Sequence, residues 1–120
     1  MNDKLEKAVD GILKKTEDGK IDWERSSIDL FQENPFYKKY ITDHDMVIDG
    51  VNNYVAPYKN GYIYFTNQVA DGYSEIAIQP NEKADITVLS SGSSSQLEAL
   101  EETIKNNLDN PDDFLNDLIN

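Results

Sequence analysis

The only histidine of this 120-residue chain, His44, lies between Asp43 and Asp45, and Asp49 follows it. Imidazole and carboxylate groups bind divalent metal ions, so this segment is the first place to look for chemistry. Adjacent side chains point apart in a strand or turn, however, and a calcium-loop register with Gly50 at its sixth position puts apolar residues where ligands belong. We therefore expect a solvated loop here, with no metal ion and no cofactor.

The sequence contains none of the familiar catalytic constellations. It has no cysteine, no second histidine and no nucleophile-elbow pattern, which excludes the common triads and zinc sites. The carboxylates of Asp22 and Glu24 share one face of a predicted strand and have the chemistry for acid–base catalysis. Nothing distinguishes them from the rest of the 23 acidic residues. We therefore predict that the protein is not an enzyme and assign no catalytic residue.

The segment from Ser91 to Ser95 has the composition of a phosphate-binding loop that leads into a helix. It lacks the lysine and the spacing of a P-loop, and the helix that follows is acidic. Ser95 and Glu98 instead have the spacing of a capping box. We therefore predict a helix cap at this position rather than a phosphate site.

Tyrosines are the remaining candidates for binding. Two alternating apolar runs on either side of Asn60-Gly61 predict a β-hairpin with a two-residue turn at Asn60 and Gly61. This pairing puts Tyr58, Ile63, Ala56, Phe65 and Tyr54 on one face, and Tyr62, Tyr64, Pro57, Val55 and Thr66 on the other.

Both faces of this hairpin are apolar, so the second face needs a cover or a partner. Either the segment before the hairpin shields Tyr62 and Tyr64, or these two tyrosines form a recognition patch. Tyr37 and Tyr40 of that preceding segment join them as candidate binding residues.

The elements that must position these residues begin with an amphipathic helix. Its apolar stripe recurs at helical spacing and consists of Leu5, Ala8, Val9, Ile12, Leu13 and Thr16. Gly19 favours a left-handed stop, whereas Gly11 lies inside the helix and suggests either tolerance or a close backbone approach. Residues 20–28 then alternate as a strand in which Trp23 faces the core.

Residues 27–52 are the least regular part of the chain and are expected to form an irregular insertion between the first strand and the hairpin. Within it, Asn34 as a cap and Pro35 at the first helical position predict a short helix through Tyr40 or Ile41. Its apolar content indicates that the insertion covers something.

The remaining segments complete the predicted fold. Residues 72–80 and 84–90 alternate as strands, and apolar stripes follow Ser95 and Pro111 as helices. Short connections favour antiparallel neighbours. We expect one α+β domain over residues 1–120, with an N-terminal helix, an antiparallel meander of four or five strands that contains the Asn-Gly hairpin, and C-terminal helices packed on one sheet face.

The chain resembles a group of small uncharacterised proteins from bacterial and phage genomes. The resemblance rests on a Thr-x-x-Gly-x-Ile-x-Trp pattern from Thr16 to Trp23, followed by a tyrosine-rich hairpin and an acidic helical tail. It does not extend to residues 27–52. It implies the fold and transfers no activity, cofactor or functional residue.

The net charge of −12 is concentrated toward the C-terminus, where residues 81–120 hold nine acids and two bases. Such a charge favours association with cationic surfaces and repels phosphates, so we expect no direct binding to nucleic acid. The N-terminus contains no apolar signal segment, and no stretch approaches the ~18 apolar residues of a membrane span. Together with the absence of cysteine, this predicts a cytoplasmic protein that does not bind membranes.

These observations favour a small acidic protein-binding module, of the inhibitor, immunity or phage-modulator kind, that engages a basic partner through Tyr62, Tyr64 and the acidic helices. One alternative is a small-molecule-binding or enzymatic domain with a pocket between the sheet and the insertion. A second is an acidic decoy that occupies a nucleic-acid-binding cleft. A third is self-association through the second hairpin face.

Overall fold

The computed structural model describes residues 3–44, 53–68, 73–108 and 112–119. The elements in chain order are α1 (Asp3–Glu17), β1 (Glu24–Arg25), α2 (Ile28–Glu33), α3 (Pro35–His44), β2 (Asn53–Tyr58), β3 (Gly61–Gln68), β4 (Tyr73–Gln79), β5 (Thr87–Gly92), α4 (Ser95–Leu108) and α5 (Asp112–Ile119). The strands form one antiparallel sheet of five strands in the order β1-β2-β3-β4-β5. The predicted α+β class and the meander are therefore confirmed.

Helix α1 and the segment after it follow the sequence pattern. Val9, Ile12 and Thr16 are buried, and Gly19 ends the helix with a φ of +71°, as predicted. The Trp23 indole donates a hydrogen bond to Thr16 Oγ1 at 3.0 Å, and its side chain is buried in the core. Pairing this N–H removes the desolvation cost that a buried tryptophan would otherwise carry.

The first strand is shorter than the predicted span of residues 20–28 and comprises only Glu24–Arg25. The cause lies at both ends of the span. The Lys20 N–H closes the end of α1 by donating to the Lys15 carbonyl at 2.8 Å. Ser27 caps α2, because its Oγ accepts from the Leu30 N–H at 3.0 Å. The Ser27 carbonyl also accepts from the Phe31 N–H at 3.1 Å, so this carbonyl and the Lys20 N–H are both used by helices rather than by the sheet.

The hairpin turn lies one residue earlier in the chain than predicted. Tyr58 pairs with Gly61, so Lys59 and Asn60 form the turn, and Lys59 takes a φ of +53°. Gly61 belongs to β3, where an added Cβ would lie 1.9 Å from the Gln79 carbonyl oxygen. Glycine is required there by the close approach of β4, not by the turn.

Moving the turn by one residue changes each pairing partner in the hairpin by two residues. The two faces therefore remain as predicted, because side chains alternate with a period of two. On the first face, residues of α1 and α4 pack against the sheet. This cluster includes Val9, Ile12, Trp23, Tyr54, Ala56, Ile63, Phe65, Ile76, Leu97, Leu100 and Ile104.

The second face is covered by α2 and α3, so helices lie on both sides of the sheet. The segment expected to be irregular is helical over 28–33 and 35–44, and residues 45–52 of it lie outside the described part. The predicted cap is present, since Asn34 Oδ1 accepts from the N–H groups of Phe36 and Tyr37 at 2.9 and 3.2 Å. A sheet that is apolar on both faces requires cover on both.

Helix α4 lies beside α1, and its cap lies one residue earlier than predicted. Ser94, not Ser95, is the capping residue, because its Oγ accepts from the Leu97 N–H at 3.2 Å. Side-chain hydrogen bonds join α4 to α1 near both ends of α4. Gln96 Nε2 donates to Asp10 Oδ1 at 2.7 Å and to the Glu6 carbonyl at 3.4 Å, and Asn107 Nδ2 donates to the Thr16 carbonyl at 2.6 Å.

Candidate functional site

The four tyrosines selected from the sequence come together in one layer between the sheet and α3. Tyr37, Tyr40 and Tyr64 are buried, and Tyr62 is half-buried. The rings of Tyr40 and Tyr64 are 4.2 Å apart between centroids and nearly parallel, and the ring of Tyr62 continues the stack at 6.3 Å from Tyr64. Phe36 closes the exposed end of the stack at 4.9 Å from Tyr62.

Every hydroxyl group of this layer has a partner within the protein. The pairs are Tyr37 with Ser26 Oγ, Tyr40 with Thr66 Oγ1 and Glu75 Oε2, Tyr62 with Asn34 Nδ2, and Tyr64 with Gln79 Oε1. Within the described residues, no buried side-chain nitrogen or oxygen lacks a hydrogen-bond partner. The layer is thus internally satisfied and offers no unpaired polar group to a ligand.

Burial keeps the central tyrosines in their neutral form. Desolvation raises the pKa of the Tyr40 hydroxyl far above its usual value, and the charge of Glu75 raises it further. The pKa of Tyr64 is also raised, chiefly by burial and secondarily by neighbouring tyrosines. Both hydroxyls therefore act as hydrogen-bond donors rather than as bases at physiological pH.

The structure thus selects the first of the two alternatives for this face: the insertion shields it. Tyr64 is wholly covered, so an exposed recognition patch that contains it is wrong. The alternative of a pocket between the sheet and the insertion meets a buried cluster at this place. Ile41, Val55 and Tyr64 are buried in this cluster, and Phe36 packs against it.

The histidine segment is described only in part. His44 is the last residue of α3, and Asp43 pairs with Lys39 at 3.1 Å. Asp45 and Asp49 lie outside the described residues. No three metal-ligating side chains lie together among those that the structure describes.

The serine-rich segment faces carboxylates rather than cations. A small cavity of about 130 Å³ there is lined by residues that include Ser94, Glu98 and Glu101. The Ser94 hydroxyl caps α4, and Glu101 accepts from Asn67 and pairs with Lys105 at 3.5 Å. Two carboxylates in this position disfavour a phosphate, as the acidic sequence of the helix had indicated.

Among the residues whose exposure the structure describes, the largest exposed apolar group lies on α5. Leu115, Leu118 and Ile119 are 48%, 69% and 79% exposed. Their spacing of three and then one residue puts them on the same side of the helix. The sequence predicted this stripe but not its exposure, because a periodic pattern identifies an apolar face without showing what covers it.

A second feature that the sequence did not reveal is a partly open apolar cavity of about 450 Å³ between α1 and the sheet, near the β2–β3 turn. Gly11 and Ile12 line its helical side, and Ile63 and Ile78 line its sheet side. Lys15 and Lys59, both exposed, lie at its edge. The only signal in the sequence was the unexplained Gly11 inside α1.

Comparison of the chain with protein-family models, with curated proteins and with solved structures found no significant match. Among the described helices, none combines the length and the apolar composition that crossing a membrane requires.

Proposed function

We propose that this chain is a small acidic protein-binding module, and that α5 docks into an apolar groove with a basic rim on a partner protein. The observation that carries the proposal is the exposure of Leu115, Leu118 and Ile119 on one side of α5. Burial of a Leu or Ile side chain contributes about 1.5–3 kcal/mol, so two or three such residues are sufficient anchors for a helix in a groove.

The charge of α5 supports a basic partner. The helix contains Asp112, Asp113 and Asp117 and no basic residue. Complementary charge at the rim of an interface raises the association rate and excludes partners of like charge. A module of this kind acts by covering a functional surface of its partner, as inhibitors and immunity proteins do.

This surface replaces the tyrosine face as the interaction site. Tyr37, Tyr40 and Tyr64 are buried with their hydroxyl groups paired, whereas Leu115, Leu118 and Ile119 of α5 are exposed to solvent. Ile28 is also exposed, at 61%, but it stands alone on α2 and does not form part of a stripe. Single exposed apolar residues are common on protein surfaces, whereas grouped ones mark interfaces.

The test is a capture experiment with the immobilised full-length chain in a lysate of the cells that encode it. The variant Leu118→Gln/Ile119→Gln removes the apolar anchors and keeps good helix formers in α5. Ile28→Gln is the matched control, since it removes an apolar side chain that is also mostly exposed, at 61%, on another helix. We expect the wild type and Ile28→Gln to retain the same partner and Leu118→Gln/Ile119→Gln to lose it.

A third variant, Asp113→Asn/Asp117→Asn, separates docking from charge mimicry. For apolar docking, we expect this variant to associate more slowly, with a smaller salt dependence, and to keep most of its affinity. If capture instead depends only on the aspartates and is unchanged by Leu118→Gln/Ile119→Gln, docking through α5 is wrong and the nucleic-acid decoy becomes the better hypothesis. If the captured partner is a second copy of the chain, sedimentation will show a dimer for the wild type and a monomer for Leu118→Gln/Ile119→Gln.

A further inference from the structure

The cavity beside α1 has the size and lining of a small-molecule site. Its volume of about 450 Å³ lies within the range of roughly 300–1,000 Å³ that is typical of ligand pockets. Its walls are formed mainly by aliphatic residues of α1, β3, β4 and β5, including Ile12, Ile63, Ile78 and Leu89. A cavity of this lining favours an apolar body over a polar one.

Gly11 keeps the cavity open. It lies in the middle of α1, where glycine costs about 1 kcal/mol relative to alanine. Apart from the adjoining backbone of α1 itself, a Cβ at this position would meet no atom within 4 Å, so the close approach of another element does not explain the glycine. Since Gly11 itself lines the cavity, a large side chain there would project into the available space.

The edge of the cavity is cationic although the chain as a whole is strongly acidic. Lys15 and Lys59 both line it, and both are exposed. Within the described part of the chain, neither ammonium group has a carboxylate partner. Lys59 lies 5.9 Å from the centroid of the Tyr58 ring, which also lines the cavity.

We propose that this cavity binds an aliphatic monocarboxylate of medium chain length. The hydrocarbon chain occupies the space between Gly11 and Ile78, and the carboxylate stays at the edge, where Lys15 and Lys59 neutralise it. Lysine suits this position because its ammonium group remains hydrated while its stem packs along apolar surface. The site is separate from the proposed α5 interface and does not depend on it.

The experiment is calorimetric titration of the full-length chain with octanoate and with octan-1-ol, which has the same chain length and no charge. We expect saturable binding of one octanoate per chain, about fivefold tighter than octan-1-ol because two exposed ion pairs are gained. The backbone amide resonances of Gly11 and Ile78 should shift during the titration.

Three variants locate the site. Gly11→Leu fills the cavity and should abolish binding without lowering the melting temperature. Lys15→Gln/Lys59→Gln should remove the preference for octanoate over octan-1-ol. Lys7→Gln/Lys14→Gln has the same net charge, changes lysines of α1 that do not line the cavity, and should preserve the preference.

Four results would overturn the proposal. They are the absence of saturable octanoate binding to the wild type, equal affinity for octanoate and octan-1-ol, undiminished binding by Gly11→Leu, and octanoate binding that appears only in Leu118→Gln/Ile119→Gln. The last result would show that α5 occupies the cavity in the wild type.

Discussion

The ring of Tyr40 on α3 lies on the ring of Tyr64 on β3, with centroids 4.2 Å apart and planes 3° from parallel. The two hydroxyl groups point to different partners, since Tyr40 donates to Glu75 at 2.8 Å and Tyr64 donates to Gln79 at 2.9 Å. Apolar stacking and polar pairing are therefore combined in the same pair of side chains. This arrangement joins α3 to the centre of the sheet.

Removal of the Tyr40 hydroxyl should destabilise the protein although the ring remains. In Tyr40→Phe, the Glu75 carboxylate, only 5% exposed, loses the hydrogen bond from Tyr40. Loss of a partner by a buried polar group costs about 1–3 kcal/mol. Urea unfolding should show this decrease, and Tyr58→Phe, at a half-buried position on the other face, should lie within about 0.5 kcal/mol of the wild type.

A double variant tests whether Glu75 is the cause. If the unpaired Glu75 carboxylate causes the loss of stability, Tyr40→Phe should lower the free energy of unfolding by less in a Glu75→Gln background. A neutral amide is less costly to leave unpaired than a carboxylate. Equal destabilisation by Tyr40→Phe in both backgrounds would contradict the role of Glu75.

Folding stability should fall in alkaline solution. Burial raises the pKa values of Tyr40 and Tyr64 in the folded state above their usual values. Above about pH 10 the unfolded chain releases these protons while the folded protein retains them. The unfolded state then binds fewer protons, so the free energy of unfolding decreases as the pH rises. The contribution of both tyrosines is fully present below pH 10.

The measurement is urea unfolding from pH 8 to pH 11, with wild type compared to Tyr40→Phe/Tyr64→Phe. We expect the wild type to lose more of its initial stability above pH 10 than the double variant does. Lysines titrate in the same region in both proteins, so the difference between the two curves isolates the tyrosines. Curves of equal slope would show that these hydroxyls ionise alike in the folded and unfolded states.

The faces of the hairpin were predictable although its turn was not. Pairing about Lys59-Asn60 instead of Asn60-Gly61 changes each partner by two residues, which preserves the alternation of side chains. Glycine is favoured both in turns and at close strand contacts, so the sequence alone does not separate these two reasons for Gly61. The contact with the Gln79 carbonyl exists only once β4 is in place.

The cover of the second face was predictable only in part. Asn34 and Pro35 identified the start of α3, and Tyr37, Tyr40 and Ile41 have helical spacing. Which face these residues cover depends on tertiary packing, and so does the exposure of α5. The cavity was not predictable at all, because it is a gap between elements that are distant in sequence and Gly11 is its only trace.

The cap of α4 can be assigned by replacing each of two adjacent serines with alanine in separate variants. Ser94→Ala removes the acceptor of the Leu97 N–H and should lower stability by about 1 kcal/mol. Ser95→Ala, at the first residue of the helix, should leave stability unchanged within about 0.5 kcal/mol. Thermal unfolding of both variants is sufficient. A larger loss of stability in Ser95→Ala than in Ser94→Ala would identify Ser95 as the cap, as the sequence predicted.

The same substitution at two glycines should have opposite effects. Gly61→Ala places a methyl group 1.9 Å from a backbone oxygen, and neither strand can move without breaking its pairing. Such overpacking costs about 1–3 kcal/mol or more. Gly11→Ala meets open space inside a helix and should stabilise the protein by about 0.5–1 kcal/mol. A lower urea midpoint for Gly61→Ala and a higher one for Gly11→Ala would support both assignments. An unchanged midpoint for Gly61→Ala would show that β3 and β4 do not approach each other as closely as described.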